Sequence, residues 1–367
     1  MKEVPVTRLK KILRQFALPH PVSIVSPLGS GHINDSYLVS TGIPEESGYV
    51  LQRINHIIFK DINGLTNNIL IVTRHIEQEI RKQPGRFGHF KPLRVILTKD
   101  EKPFSRDEEG NFWRLFNYIS PCHSYDLVTD PDIAYEGGKG FGNFMLLTSG
   151  IDASTLIETI PNFHDIAFRL DLFNQSIQRD NAGRVSEVSP EIDFVMERKD
   201  EMYRIRQLAE EKKIPLRVTH NDTKLNNILF DENNKAICIV DLDTVMPGYI
   251  LYDYGDAIRT GANTCNEDEK NTTRVALNLE LFEAYSKGYL NVVKEIITPC
   301  EKENFAFSAR FMTFIIGLRF LTDFLDGDIY YKIAFPDHNL RRARVQFALM
   351  KDMEKNYDKM RKIIEHC

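Results

Sequence analysis

Residues 220–243 read His-Asn-Asp-Thr-Lys-Leu-Asn-Asn-Ile-Leu-Phe-Asp-Glu-Asn-Asn-Lys-Ala-Ile-Cys-Ile-Val-Asp-Leu-Asp. A polar loop comes first, followed by the apolar triplet 228–230, a turn-forming cluster and a second β-rich run. Polar clusters between short apolar runs predict a loop followed by a β-hairpin. We expect the two strands to carry Asp222 and Asn227 on one side and Asp241 on the other towards a common point.

Such a convergence suits the transfer of a phosphoryl group to an alcohol. The alcohol must be oriented and its proton accepted, and the Mg²⁺ on the nucleotide phosphates needs hard oxygen ligands. In protein kinases a loop Asp takes the proton, while an Asn five residues later and an Asp on the next hairpin hold the metal. We therefore expect Asp222 to be the catalytic residue, Asn227 and Asp241 to bind Mg²⁺, and Asp243 to be a further ligand.

Several stretches besides this one carry a family resemblance. The chain resembles the aminoglycoside phosphotransferase and choline kinase group of small-molecule kinases, and within this group the N-acetylhexosamine 1-kinases. The stretches that carry the resemblance are residues 31–37, 51–56, 220–231, 240–248, 253–259 and 317–323. These stretches span nearly the whole chain. The resemblance implies a two-lobed protein-kinase-like fold that uses ATP and Mg²⁺.

The order of predicted elements fits the same architecture. With 367 residues, the chain is long enough for two lobes. Strand-like runs dominate the first third, and helical periodicity dominates from Tyr125 onwards, which is typical of an α+β fold. We expect a nucleotide-binding N-lobe over residues 1–117. A helical C-lobe with the catalytic loop and the substrate site should cover residues 118–367.

Composition argues against several other classes of protein. The net charge is −5, with both signs interspersed, so the sequence shows no overall basic character that would indicate nucleic-acid binding. Residues 1–14 lack the long apolar segment of a signal peptide, and uninterrupted apolar runs are too short to span a membrane. Five scattered cysteines suggest reduced thiols. We expect a cytoplasmic protein without a nucleic-acid or membrane partner.

A glycine-containing turn near the N-terminus predicts a loop that covers the nucleotide phosphates. Residues 28–35 read Leu-Gly-Ser-Gly-His-Ile-Asn-Asp and lie between two β-like runs. Glycines allow the backbone to approach phosphate oxygens closely, with N–H groups facing them. The expected nucleotide contacts of this loop are Gly29, Ser30, Gly31, His32 and Asn34.

The next strand, Tyr49–Ile54, lacks the lysine that usually contacts the α- and β-phosphates in kinases. Arg53 is the candidate cation. Gln52 is the alternative, because strand alternation points only one of the two towards the nucleotide. Glu77 or Glu79 on the following helix is a candidate partner for this cation.

The strand at residues 112–117 leaves the sheet shortly before Pro121. In the fold that the chain resembles, the adenine base hydrogen-bonds to backbone groups at this place. The resemblance therefore implies nucleotide contacts from Phe116, Asn117, Tyr118 and Ile119.

Further residues are expected to support the catalytic loop or to bind the acceptor. His220 should brace the loop rather than transfer protons, and the resemblance gives Asp253 a similar supporting role. Asp256 and Arg259 are expected to form an internal ion pair.

Two interpretations of Arg319 remain open. Asp323, one helical turn later, is a candidate ion-pair partner. Alternatively, Arg319 contacts a sugar, with Tyr330 beside it, and the resemblance favours this second interpretation.

The acceptor follows from the resemblance and from the charge of these residues. Arginine repels cations but donates hydrogen bonds to hydroxyls and carbonyls, and tyrosine faces suit a sugar ring. The favoured substrate is N-acetylglucosamine or N-acetylgalactosamine, phosphorylated on the anomeric hydroxyl. The alternatives are choline, homoserine or an aminoglycoside, or a nucleotide-binding pseudokinase with a regulatory role.

Overall fold

The computed structural model describes residues 4–28, 34–43 and 48–367. They form two compact units. The first takes in the described part of residues 1–123 with Leu147–Ile160 and Leu229–Pro247, and the second takes in Ser124–Leu146, Pro161–Ile228 and Gly248–Cys367. The N-terminal region holds a β-sheet and the C-terminal region is helical, which confirms the expected α+β class.

The first unit is built on an antiparallel sheet of six described strands. They are β1 (Ile24–Pro27), β2 (Asp35–Ser40), β3 (Tyr49–Ile54), β4 (Val95–Ile96), β5 (Ser105–Arg106) and β6 (Phe112–Asn117). Strands β1, β2, β3, β6 and β4 are neighbours in that order, and β5 pairs with another part of β6. Three helices, α1 (Val6–Leu13), α2 (Ile62–Lys82) and α3 (Pro84–Phe87), complete the N-terminal part of this unit.

The two faces of this sheet have different chemistry because side chains alternate along each strand. One face carries Leu51, Trp113 and Leu115, which pack in one buried cluster with Leu9 and Ile12 of α1. The opposite face carries polar side chains from the central strands β3 and β6. The sheet therefore has an apolar core on one face and the polar pair Gln52 and Arg114 on the other.

Hydrogen bonds explain why two later segments belong to the first unit. His123 and Phe230 exchange two backbone bonds, of 3.0 and 2.8 Å. Asn68 of α2 donates to the carbonyl oxygens of Ile157 and Val245, at 2.8 and 2.9 Å. A division at residue 117 misses these segments, because bonds between residues so far apart leave no local signal in the sequence.

The predicted hairpin is present. Its strands are β8 (Ile228–Phe230) and β9 (Ala236–Ile239). Asp231 closes the turn by accepting hydrogen bonds from the N–H groups of Asn233 and Lys235, at 2.9 and 2.8 Å. This side-chain capping is the usual role of Asp at the start of a turn.

The remaining elements are mostly helices, and α10 lies at the centre of the second unit. They are α4 (Pro131–Thr148), α5 (Ile166–Arg179), α6 (Ser189–Arg198), α7 (Arg204–Glu210), β7 (Arg217–Thr219), β10 (Met246–Gly248), α8 (Ile250–Gly261), α9 (Leu279–Val293), α10 (Pro299–Leu325), α11 (His338–Lys355) and α12 (Tyr357–His366). Helix α10 packs against α5, α8 and α11 and is buried without interruption from Asn304 to Leu321.

Helix α10 begins with a capping box and is unusually apolar. Thr298 accepts a hydrogen bond from the N–H of Glu301 at 3.1 Å, and the Glu301 carboxylate accepts one from the N–H of Thr298 at 2.7 Å. Among the described helices, α10 alone is long and apolar enough to cross a bilayer by length and composition. Its apolar window is entirely buried inside the protein, as is usual for the core helix of a globular unit.

The alternation of the sheet gives a stability prediction. We expect Leu51→Ala, on the core face, to lower the free energy of unfolding by about 2–5 kcal/mol, because it leaves a cavity. Val50→Ala, one residue earlier and only half-buried, should cost clearly less. Trp113 is the single tryptophan of the chain and lies in the same core, so its fluorescence reports unfolding of the first unit. Equal losses in the two variants would contradict the assigned faces.

Candidate active site

A carboxylate of α8 holds the backbone of the loop that carries Asp222. Asp253 accepts hydrogen bonds from the N–H groups of His220 and Asn221 on its two oxygens, each at 2.7 Å. Asp253 is only 1% exposed, so water does not compete for these bonds. Asn221 has a left-handed backbone conformation, with φ +63°. The loop is therefore fixed by one side chain of a packed helix.

Helix α8 is itself placed by close packing. Gly255 faces α10, and a Cβ atom there would lie 2.3 Å from the carbonyl oxygen of Ser308, so only glycine lets the helices approach this far. Asp256 accepts a hydrogen bond from the N–H of Thr223 at 3.0 Å. It also forms a buried ion pair with Arg259 at 2.7 Å. The predicted internal ion pair is confirmed.

The ring of His220 is packed inside the second unit. It lies edge-on to Phe141 and Phe144 of α4, with centroid distances of 5.5 and 5.6 Å. Its Nδ1 faces the N–H of Asp222 at 3.3 Å. Because the ring is fully buried, these contacts favour a bracing role over proton transfer.

Asp222 lies between an amide and an ammonium group. Asn227 Nδ2 donates to the backbone carbonyl of Asp222 at 2.9 Å and to its carboxylate at 3.2 Å. Lys224 Nζ lies 3.1 Å from the other carboxylate oxygen. Burial alone raises the pKa of Asp222, but the nearby charges of Lys224 and His220 outweigh it and hold the pKa below its ordinary value. The carboxylate is thus ionised at neutral pH and can accept a hydrogen bond from an alcohol.

The chemistry of Asn227 fits a metal role. Its Nδ2 is used by Asp222, and no described residue donates to its amide oxygen, a hard ligand for Mg²⁺. Within the described ranges, no three His, Cys, Asp or Glu side chains lie together as a metal site. A Mg²⁺ ion that nucleotide phosphates also ligate needs only one or two protein carboxylates.

Asp241 and Asp243 differ in exposure and in partners. Asp241 follows β9 with a left-handed φ of +60°, and its side chain is exposed. Asp243 is 3% exposed, pairs with Arg114 through Oδ1, and accepts a hydrogen bond from Asn34 on Oδ2 at 2.5 Å. Protein donors occupy both oxygens of Asp243. Each oxygen keeps a further lone pair, and the metal-binding roles of Asp241 and Asp243 stay predictions.

The structure also corrects the expected role of Arg53. Arg53 is paired in register with Trp113, so it lies on the core face of the sheet. There it forms an ion pair with Asp35, and its guanidinium lies 5.9 Å from the Trp113 ring centroid. Gln52 is on the opposite face, as strand alternation requires, and its Oε1 accepts hydrogen bonds from Arg114. Arg53 is therefore a cation on the core face, and Gln52, on the other face, is uncharged.

The helix carboxylates that were candidate partners for this cation are engaged elsewhere. Glu77 pairs with Arg81 and Arg94, at 2.6 and 2.8 Å. Glu79 pairs with Lys82 at 2.7 Å. These exposed pairs lie along α2 and beside the end of the sheet.

The expected contacts from Gly29, Ser30, Gly31 and His32 lie outside the described residues. Asn34 is described and is buried, and besides its bond to Asp243 it accepts a hydrogen bond from the N–H of Asn55 at 3.0 Å. The end of the glycine-containing segment is thus tied to β3 and to the turn after β9.

The expected adenine segment runs from Phe116 to Ile119. The N–H of Asn117 donates to the carbonyl of Arg94 at 3.1 Å, and the N–H of Tyr118 donates to the carbonyl of Gly48 at 3.0 Å. An adenine base would have to use other backbone groups of this segment. The nucleotide contacts of Phe116, Asn117, Tyr118 and Ile119 stay a prediction.

In the second unit, Arg319 and Tyr330 lie together. The guanidinium carbon of Arg319 lies 4.5, 6.0 and 5.8 Å from the ring centroids of Phe163, Tyr330 and Tyr331. Asp323 does not pair with Arg319. It accepts hydrogen bonds from the N–H groups of Tyr330 and Tyr331, at 2.7 and 2.9 Å, and so holds the segment that carries both rings. The described part of the chain provides Arg319 with no ion-pair partner.

Sequence reasoning missed a second cation in this cluster. Arg169 donates to the carbonyl of Phe163 through Nε and Nη2, at 3.2 and 3.0 Å. Burial, and then repulsion by Arg319, lowers the pKa of Arg169 to about 10. The pKa of buried His164 is held well below its ordinary value by burial and by both arginines. No motif marks Arg169, because only the packing of α5 on α10 brings it near Arg319.

Sequence reasoning also gave no role to Lys224, although it lies within the catalytic motif at residues 220–227. It lines a cavity of about 170 Å³ together with loop residues and the end of α8. The charged residues of this lining are two of each sign, Asp126, Glu267, Lys224 and Arg259. The other lining residues include several amides, and none of the described lining residues is aromatic. The lining therefore combines balanced charges and amides with apolar side chains such as Leu127 and Leu225.

Solved structures share this fold over their full length. An aminoglycoside phosphotransferase from Alicyclobacillus acidocaldarius is 13% identical, with a TM-score of 0.61 over 100% of this chain and 98% of that one. A choline kinase from Cryptosporidium parvum is 13% identical, with a TM-score of 0.58 over 97% of each chain. A spectinomycin phosphotransferase, solved with ADP and spectinomycin, is 12% identical, with a TM-score of 0.57 over 100% of both chains.

The fold is therefore that of the protein-kinase-like phosphotransferases. The chain belongs to the phosphotransferase enzyme family (APH), whose model matches residues 24–291. It is a small-molecule kinase of the aminoglycoside phosphotransferase and choline kinase group.

The burial of Asp253 gives a pH prediction for the second unit. Burial raises the pKa of Asp253 from 3.8 to about 6. Between these values the folded protein holds a proton that the unfolded chain releases, so this contribution to stability is complete below 3.8 and is lost as pH rises through about 6. Relative to Asp253→Asn, which cannot titrate, the wild type should lose stability over this range.

The measurement is denaturant unfolding at several pH values, followed by the far-ultraviolet circular dichroism of the helices. Asp200→Asn, an exposed carboxylate in the same unit, is the matched control and should follow the wild-type pH profile. Parallel profiles for wild type and Asp253→Asn would contradict the assigned origin of the raised pKa.

Proposed function

We propose that this protein is an ATP-dependent kinase that phosphorylates the anomeric hydroxyl of N-acetylglucosamine or N-acetylgalactosamine. Asp222 orients the acceptor hydroxyl and accepts its proton. Asn227 and Asp241 would hold the Mg²⁺ that is bound with the nucleotide, and the ion would neutralise phosphate charge. The observation that carries the proposal is an ionised Asp222, hydrogen-bonded to Asn227, on a loop fixed by Asp253.

The chemistry follows from positioning and charge. A hydroxyl on the Asp222 carboxylate gains a hydrogen-bond acceptor and a base at once. Because Asp253 and Asp256 fix the loop backbone, the carboxylate does not have to be ordered during the reaction, which lowers the entropic part of the barrier. Mg²⁺ supplies charge neutralisation of the phosphates when it is bound with the nucleotide.

The arginine cluster supports a neutral acceptor that offers carbonyl and hydroxyl oxygens. Arg319 is 7% exposed and has no carboxylate partner among the described residues. Its positive charge contributes to lowering the pKa of the nearby Arg169. Two such cations would repel a quaternary ammonium or an aminoglycoside, which require carboxylates and open aromatic faces. An acetamido group provides a carbonyl oxygen for a guanidinium and a methyl group for the rings of Tyr330 and Tyr331.

The cavity beside Lys224 supports the same class of acceptor. Its lining balances two carboxylates with two cations and adds amide groups, a combination that suits a polyhydroxylated ligand without net charge. It lies next to the Asp222 carboxylate through the ion pair of Lys224.

The first test concerns the base. Asp222→Asn keeps the size of the side chain but removes its negative charge. We expect ATP binding to remain and turnover to fall by about 10²–10⁴-fold, as for the loss of a general base. Asp171→Asn, on the exposed side of α5, is the matched control and should keep wild-type turnover. Near-normal turnover in Asp222→Asn would refute the assigned role.

The second test concerns the acceptor. ADP release is measured with N-acetylglucosamine, N-acetylgalactosamine, choline, homoserine and an aminoglycoside. We expect release with both N-acetylhexosamines, and a parallel loss of reducing ends because the anomeric oxygen is blocked. Release with choline or homoserine alone would sink the substrate claim and leave the kinase assignment intact. Release without loss of reducing ends would move the phosphate to another hydroxyl.

A variant locates the acceptor within the second unit. Arg319→Met keeps the length and apolar body of the side chain and removes its donors. We expect the KM for the acceptor to rise by about 10–100-fold, as for a lost hydrogen bond from a charged donor, with an unchanged KM for ATP. Arg344→Met, an exposed arginine of α11, is the matched control. Equal acceptor KM values in both variants would place the sugar elsewhere.

A further inference from the structure

One buried cation lies on the sheet face away from the apolar core of the first unit. Arg114 of β6 is 2% exposed. Its Nη1 pairs with Asp243, and its Nε and Nη2 both donate to Gln52 Oε1, at 3.0 and 2.8 Å. The ring of Phe116 lies 5.2 Å from the guanidinium carbon. The planar fork of the guanidinium thus joins the central strand β3 to the turn after β9.

The partner of Arg114 is held from a second direction. Asp243 Oδ2 accepts a hydrogen bond from Asn34 Nδ2, and Asn34 Oδ1 accepts one from the N–H of Asn55. The Asp243 carboxylate in the turn after β9 therefore contacts Arg114 of β6 and Asn34, the residue before β2, and β3 is connected to it through Arg114. A carboxylate that is 3% exposed would be costly without these donors.

This network holds the turn that begins at Asp241. Asp243 lies in a short 3₁₀ helix, Leu242–Thr244, that begins immediately after Asp241. On the far side of this helix, the carbonyl of Val245 accepts a hydrogen bond from Asn68 at 2.9 Å. The turn is anchored from both sides, and Asp241 is left exposed in a left-handed conformation at its start. Movement of Asp243 would therefore redirect the Asp241 carboxylate.

We propose that Arg114 is a positioning residue for the Mg²⁺–nucleotide site. Through Asp243 it holds the turn that begins at Asp241. The proposal rests on the proposed function, in which Asp241 binds Mg²⁺. Lysine cannot reproduce the arrangement, because one ammonium group lacks the flat fork that reaches Gln52 and Asp243 together.

The test compares Arg114→Met and Arg114→Lys with wild type. ATP binding is measured by calorimetry at several Mg²⁺ concentrations, without any acceptor. We expect the Mg²⁺ concentration for half-maximal binding to rise by about 10–100-fold in Arg114→Met, as for the loss of a group that orients a metal ligand. Arg114→Lys should recover only part of this loss. Arg106→Met, an exposed arginine on the adjacent strand β5, is the matched control.

A second variant covers the case in which Arg114→Met does not fold. Gln52→Glu keeps the side-chain size and offers Arg114 a competing carboxylate, so it should weaken the Mg²⁺ response without removing the arginine. A lower melting temperature with an unchanged Mg²⁺ response, in either variant, would show a purely structural role and overturn the proposal.

Because no acceptor is present, this measurement does not depend on the identity of the sugar. If the wild-type protein binds Mg²⁺–ATP but phosphorylates no hexosamine, the substrate claim is wrong. The Arg114 variants would still test the positioning role of Arg114. A wild-type protein that binds no Mg²⁺–ATP would overturn both.

Discussion

The two hydrogen bonds from the loop backbone to Asp253 are the constraint on which the second unit's candidate site depends. They fix the chain just before Asp222, so that its carboxylate emerges between Asn227 and Lys224. The position of Asp253 depends in turn on helix packing, since Gly255 in α8 permits close contact with the buried helix α10. A base on a loop keeps its geometry only when a rigid element supports it in this way.

Buried charges are handled in two distinct ways. In the first unit, the carboxylate of Asp243 is paired with Arg114 and accepts a hydrogen bond from Asn34, so it connects β6 to the turn after β9. In the second unit, Arg319 lies near Arg169, and no carboxylate of the described residues pairs with Arg319, an arrangement that costs stability. Such a cost is typical of a site whose partner arrives with the ligand. In the proposed function Arg319 contacts the acceptor, whereas Asp243 connects elements of the first unit.

The sequence predicted the features that depend on neighbouring residues. The α+β order, the hairpin and the Asp256–Arg259 pair, three residues apart, all followed from local patterns. It could not predict the bond between Arg114 and Asp243, which are 129 residues apart. Strand alternation shows that Gln52 and Arg53 lie on opposite faces of β3, but it does not show which face is directed towards the core. Arg53 was the favoured candidate for the nucleotide side, and the structure places it on the core side. Those choices are made by tertiary packing.

The most direct measurement is a proton-coupled ³¹P nuclear magnetic resonance spectrum of the reaction of the protein with Mg²⁺, ATP and N-acetylglucosamine. It identifies the atom that receives the phosphoryl group rather than the mere loss of ATP. The structure and the proposed acceptor predict a new phosphomonoester resonance that is split by the anomeric proton. A new resonance coupled to another ring proton, or inorganic phosphate alone, would contradict the transfer to the anomeric oxygen.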